Sequence, residues 1–145
     1  MLIDAGLAGT KGLIRRAAAE RFGADARPAA IVMTHGHFDH VGALEDLADE
    51  WDAPVFAHPL ELPYLSGRAS YPPPDSSVGG GLMAPLARLY PRGPVDAGAR
   101  LQALPDDGTV PGMPGWRCIH TPVTLSVTCR CGGRRTAPWW SAMHS

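Results

Sequence analysis

The chain has 145 residues and a mass of 15.3 kDa, enough for one domain or a large piece of one. Thirteen Lys and Arg stand against fourteen Asp and Glu, a formal net charge of −1, which excludes a strongly basic nucleic-acid binder. A hydrophobic fraction of 45% supplies a core. No run of about 18 apolar residues offers a membrane span, and Met1-Leu2-Ile3-Asp4 has neither the basic nor the apolar region of a secretory signal.

The three cysteines, Cys118, Cys129 and Cys131, are too few and odd in number for a disulfide framework, so a reducing cytoplasm is the expected compartment. With 17 Gly and 15 Pro, many turns and long ordered loops are expected. All acidic residues lie at or before Asp107. Residues 1–122 therefore carry −4 and residues 123–145 carry +3. The tail shows only a short Val-Thr-Leu-Ser-Val-Thr alternation, and it reads as disordered or draped on the surface.

In chain order, Leu2-Ile3 reads as a strand end stopping at Asp4-Ala5-Gly6. Thr10 is placed to cap a helix over 11–22. Leu13, Ile14, Ala17, Ala18 and Phe22 share one face of that helix, and Gly23 stops it. Ala29 to Met33 reads as a buried strand, followed by a loop from Thr34 to His40. Val41 to Trp51 reads as one helix with Leu44, Leu47 and Ala48 inward; Pro54 breaks it, and Val55-Phe56-Ala57 is a third strand. This βαβαβ order implies one sheet with helices packed on it, an α/β fold. Residues 67–81 form a Pro/Gly/Ser-rich loop, either linker or functional. A short helix is expected over 82–90, and a strand over Trp116 to His120 after the turn at 111–115.

The loop Thr34-His35-Gly36-His37-Phe38-Asp39-His40 holds three His and one Asp within six residues, directly after a strand. Imidazole nitrogen and carboxylate oxygen are ligands for Zn²⁺. Gly36 lets the backbone turn sharply between two of them. Alternate residues leaving a strand can aim at one ion, and Asp39 and His40 then turn toward a second position. Two metals about 3.5–4 Å apart would share a water and make it nucleophilic near neutral pH. Packing alone explains such a cluster poorly.

This string resembles the His-x-His-x-Asp-His signature of the metallo-β-lactamase-fold hydrolases. Four further stretches resemble the same family: Leu2-Ile3-Asp4-Ala5-Gly6, Ile31-Val32-Met33-Thr34, Val55-Phe56-Ala57-His58 and Ile119-His120-Thr121-Pro122. Together they cover most of 1–122. The resemblance implies an αββα sandwich, here its first, incomplete half, with a dinuclear metal site at the sheet edge. It implies hydrolysis of an ester, thioester, amide, lactone or phosphodiester in a small-molecule substrate, with zinc, iron or manganese as the metal and neither nucleic acid nor membrane as partner. Carried over, His35 and His37 hold the first metal and Asp39 and His40 the second. Asp39 also takes the catalytic role of holding the attacking water. Asp4 orients ligands from behind or simply forms a turn. His120 is left without a metal role. His58 either borders the cleft or is a surface residue, and Tyr64 and Tyr71 either reach substrate or pack.

The pattern breaks after Pro122. The family's Gly-His is replaced by Val123-Thr124, no acid follows residue 107 to bridge two metals, and only His144 remains downstream. Back-translating 123–145 and reading one nucleotide earlier gives Gly-His-Ser-Leu-Gly-His and later Val-Val-Gly-Asp-Ala-Phe. In that reading Trp139-Trp140 forces a Val and Met143-His144 forces an Ala. Residues 1–122 are therefore expected to be an incomplete metallo-β-lactamase-like domain, and 123–145 an out-of-frame or disordered tail. An exposed sheet face, weakened metal binding and impaired activity are expected with it. A non-catalytic metal-binding or interaction module is the alternative, and the −4 charge of 1–122 argues against a nucleic-acid-binding regulator. The oligomeric state is not legible.

Overall fold

The computed structural model describes residues 1–70, 95–123 and 126–133, with side chains described as far as Thr121. Four short parallel strands form the central sheet: β1 (Leu2–Ile3), β2 (Ile31–Val32), β3 (Val55–Ala57) and β4 (Leu101–Ala103), in spatial order β1-β2-β3-β4. Leu2 pairs with Ile31, Ile31 with Val55, and Val55 with Leu101. The side chains alternate across the sheet. Ile31, Met33, Val55 and Ala57 enter one core with Leu44, Leu47 and Leu65. Val32 and Phe56 enter a second with Leu104, Val110 and Cys118. Burial on both faces is why the inner strands β2 and β3 are continuous apolar runs rather than alternating ones.

The helix α1 (Lys11–Phe22) spans the expected residues and ends at Gly23, whose φ of 105° and N–H bond to the Ala19 carbonyl close it. Two expectations about it fail. The Thr10 side chain makes no capping bond; its hydroxyl donates to the Leu7 carbonyl at 2.6 Å. The apolar face is not buried: Leu13 is 64% and Phe22 75% exposed, and of that set Ile14 packs on the core. On another side of the helix, Lys11 and Arg15 both reach Glu50 of the neighbouring helix, at 2.9 and 2.5 Å.

The helix expected over 41–51 is two, α2 (Phe38–Val41) and α3 (Leu44–Trp51). The break falls at Gly42 and Ala43, whose N–H groups leave the helix for the Gly6 and Ala5 carbonyls. A Cβ at Gly42 would lie 2.0 Å from the Ala8 nitrogen, so the loop after β1 sits directly on its backbone. Gly42 N–H donates to the Gly6 carbonyl at 2.7 Å, and Ala5 N–H to the His40 carbonyl at 2.6 Å. On α3, Leu44, Leu47 and Ala48 are buried as expected. After β3, a single 3₁₀ turn (Pro59–Glu61) leads into α4 (Leu62–Leu65).

The strand expected over 116–120 extends as β5 (Trp116–Val123), antiparallel to β6 (Ser126–Gly133). Residues 126–133 therefore form a strand where an unpaired tail was expected, in keeping with the β-branched Val and Thr of that stretch. The second sheet face is covered too: Val32 is fully buried, and Met113 and Trp116 pack on its cluster. The helix expected over 82–90, most of the 67–81 loop including Tyr71, and residues 134–145 lie outside the described residues. Among the described residues no helix is long and apolar enough to cross a membrane.

Candidate metal centre

The site gathers at the carboxyl ends of β1, β2 and β3, where parallel α/β sheets place their ligands. Asp4 ends β1 with a φ of 57°, a left-handed turn that Asp tolerates better than most residues. That turn directs its carboxylate at the end of β2. Oδ1 accepts the Thr34 N–H at 2.8 Å, and Oδ2 accepts the Thr34 hydroxyl at 2.7 Å. Oδ2 also lies 2.9 Å from His40 Nδ1.

These contacts set two tautomers. A carboxylate only accepts, so His40 Nδ1 carries a proton, and in the neutral ring Nε2 keeps its lone pair. The Thr34 hydroxyl gives its proton to Asp4, so at 3.0 Å it accepts from His35 Nδ1, and His35 Nε2 is likewise left with a lone pair. This is the ring orientation metal-binding His residues take when an outer partner holds the other nitrogen.

The rings are packed together. The His35 centroid lies 4.1 Å from that of His40, tilted by 50°, and 4.7 Å from that of His37, edge to face. Asp39, in the first turn of α2, brings Oδ2 to 3.5 Å from His40 Nε2. Two electron-rich atoms facing each other at that distance suit a cation between them. The structure thus brings His35, His37, Asp39 and His40 into one cluster, with Asp4 behind it. The donor chemistry fits a divalent transition metal. Among the described residues, however, no three His, Cys, Asp or Glu side chains are arranged as a coordination shell.

Burial, then the neighbouring His40 and His37, pushes the His35 pKa down to about 4, against the pull of Asp4 and Asp39. Burial also lowers His37, opposed by Asp39 and Glu61. Both rings are therefore neutral at pH 7, the form that binds metal.

Two relationships were not legible in the motif. Glu61, in the turn after β3, is 1% exposed, and its Oε2 accepts the Gly36 N–H at 3.0 Å. A single acid outside the motif gives no periodic signal; the available one was His58-Pro59-Leu60-Glu61, a Pro-containing turn directly after a strand. His58 and His120, which the sequence left without a shared role, stack at 4.4 Å and 26°. His58 Nδ1 accepts the Leu60 N–H at 3.2 Å, capping that turn, and burial followed by repulsion from His120 lowers its pKa. Tyr64 is half-buried in α4.

Comparison with known proteins agrees with this geometry. The family described as the metallo-β-lactamase superfamily matches residues 1–133. A probable metallo-hydrolase of Bacillus subtilis, YflN, is 45% identical over 122 residues, covering 84% of this chain and 46% of that protein. A Cronobacter sakazakii metallo-β-lactamase with a HARLDQ motif superposes with a TM-score of 0.57 at 26% identity, over 88% of this chain and 46% of that one. MEM-A1, a subclass B3 metallo-β-lactamase from a soil metagenome, gives a TM-score of 0.62 at 23% identity, over 94% and 47% of the two chains, an agreement of fold alone. The chain spans about half the length of these proteins. With the parallel sheet, the His-rich loop at its carboxyl edge and a match over 1–133, the chain belongs to the metallo-β-lactamase superfamily.

Proposed function

We propose that this chain carries the metal-holding part of a metal-dependent hydrolase. His35 and His37 hold one metal, Asp39 and His40 a second, and zinc is the first choice, with iron and manganese chemically admissible. One observation carries the reading: two lone-pair nitrogens, His35 Nε2 and His40 Nε2, belong to rings 4.1 Å apart whose other nitrogens are held, through Thr34 and directly, by Asp4. A metal here supplies Lewis acidity, making water a nucleophile near neutral pH and polarising the bond attacked.

The residues divide the remaining work. Asp4 and Thr34 hold the His40 and His35 rings in position, so no rotamer is lost when substrate arrives. Asp39, half-exposed on the first turn of α2, accepts a proton of the attacking water and aims it. The substrate class is a small molecule with an ester, thioester, lactone, amide or phosphodiester bond. The relative's description as a probable metallo-hydrolase supports hydrolysis. A cytoplasmic setting suits a chain with three cysteines, too few and odd in number for a disulfide framework.

We read residues 123–145 as out of frame, so that the family's later ligands are absent and activity is impaired. The nucleotide sequence around codon 122, read in all frames, tests this: DNA encoding no Gly-His at that point in the shifted frame removes the reading. A non-catalytic metal-binding or interaction module that uses the same loop is the second reading, and turnover separates the two.

The deciding experiment loads metal-depleted protein with Zn²⁺, Fe²⁺ or Mn²⁺, measures bound metal by elemental analysis, and assays generic ester, thioester, lactone and phosphodiester substrates. Bound metal that is lost in His35→Ala/His37→Ala, with turnover, supports the hydrolase. Bound metal without turnover supports the module, and a chain that retains no metal ends both.

A further inference from the structure

The burial of Glu61 is unusual. Carboxylates are almost never fully buried unless paired or hydrogen-bonded, because losing water penalises the charge heavily. Glu61 is nonetheless 1% exposed, the one charged side chain among the described residues that is buried.

Its position follows from the chain. The strand β3 ends at Ala57, and His58 caps the next turn with its own ring. Pro59 sits at the first position of the 3₁₀ turn, where its fixed φ is favourable. Glu61 N–H then bonds the His58 carbonyl at 2.9 Å, which closes the turn. The side chain passes beneath the neighbouring strand end, and Oε2 meets the Gly36 N–H across 25 residues of sequence. Gly36 is the residue between His35 and His37. Electrostatically Glu61 faces both His37 and His58, raising the proton affinity of each.

We infer that Glu61 is a positioning residue of the metal loop: its buried carboxylate clamps the Gly36 amide and thereby sets the spacing and direction of the His35 and His37 rings. Asp4 holds the loop from the β1 side, through Thr34 and His40. Glu61 holds it from the β3 side, at the one residue of the His-Gly-His run that has no side chain to anchor. Without this clamp the turn keeps its glycine freedom, and the two rings no longer share one geometry. The inference rests on the metal reading above only for what the clamp is for; the clamp itself is a property of the metal-free chain.

The test compares Glu61→Gln, which keeps an acceptor oxygen and loses the charge, with Glu61→Ala, which loses both. Hydrogen exchange at the Gly36 amide is measured in metal-free protein, and Zn²⁺ affinity and the visible spectrum with Co²⁺ are measured in the same set. Expected are a protected Gly36 amide in wild type and Glu61→Gln and fast exchange in Glu61→Ala. The Zn²⁺ dissociation constant should rise about 10–100-fold in Glu61→Ala and less in Glu61→Gln, with shifted Co²⁺ bands in the alanine variant. Where the alanine variant does not fold, Glu61→Asp, whose shorter reach withdraws the oxygen, takes its place with the same expectation. Unchanged Gly36 exchange, or equal Zn²⁺ affinity in wild type and Glu61→Ala, overturns the inference. Should wild type take up no Zn²⁺, the metal reading falls separately. Gly36 exchange then decides the clamp alone: protection lost in Glu61→Ala upholds it, and equal exchange overturns it.

Discussion

The Asp4 carboxylate and the His40 ring, 36 residues apart in sequence, meet at 2.9 Å, and the same oxygen takes the Thr34 hydroxyl at 2.7 Å. Asp4→Asn keeps the shape and the tolerance of positive φ but loses the charge that selects the Nδ1–H tautomer of His40. It should weaken Zn²⁺ binding about 10–100-fold, read by competition with a chromophoric chelator, with little loss of stability. Asp4→Ala should show the same loss and in addition about 1–3 kcal/mol of destabilisation from the left-handed backbone. Equal Zn²⁺ affinity in Asp4→Asn and wild type would leave Asp4 as a turn residue and nothing more.

The metal-free protein should lose stability as the pH falls. His35 titrates near pH 4 when folded and near 6.5 when unfolded. Between those values the unfolded chain binds a proton that the folded chain refuses, so unfolding free energy decreases as pH drops through that window and levels off below about 4. His37 and His58 are lowered as well and act in the same direction. Urea midpoints measured with chelator present, from about pH 4 to about pH 7, should rise with pH, and His35→Asn should flatten the slope. A midpoint independent of pH would mean that the fold does not hold the His35 pKa down.

Gly42→Ala should be among the most damaging single changes in the chain. The added carbon would lie 2.0 Å from Ala8 nitrogen and 2.2 Å from the Leu7 carbonyl carbon, both backbone atoms that cannot rotate away. About 3 kcal/mol or more of destabilisation is expected, the upper end of overpacking costs. Because the bonds from Gly42 to Gly6 and from Ala5 to His40 are made at the same junction, metal affinity should fall with stability. Denaturant unfolding and Zn²⁺ titration of the variant check both.

The two faces of the helical layer should respond oppositely to truncation. Leu44→Ala removes a fully buried side chain and should cost about 2–5 kcal/mol. Leu13→Ala, on the exposed face of α1, should stay within about 0.5 kcal/mol. A large cost at Leu13 would show that this face is covered in solution.

Much of the fold could be read from the residues, and the misses share a cause. The strands at 2–3, 31–32 and 55–57 are apolar runs bounded by turn residues, and α1 has both its span and its glycine stop. The break at Gly42 was hidden because the residues its backbone meets, Gly6 and Ala8, lie 36 and 34 positions away. The exposure of Leu13 and Phe22 was hidden too, since how α1 lies against the rest of the fold, with Lys11 and Arg15 on Glu50, depends on residues far along the chain. At the site, a local motif brought His35, His37, Asp39 and His40 to notice, and the family resemblance left Asp4 as either an orienting or a turn residue; with a φ of 57° and a carboxylate on His40, it is both. Glu61 and the His58–His120 stack depend on how one strand end lies beside another, and spacing carries no trace of that.

The route by which Asp4 reaches His40 sets a limit on how small a working chelator can be made from this protein. A synthetic peptide copying positions 34 to 41 would contain every imidazole of the motif but neither Asp4 nor Glu61, which come from the strands on either side of β2. Such an octamer should pick up copper, nickel and zinc in simple order of intrinsic strength. Any discrimination the parent chain shows beyond that order has to come from the strands on either side.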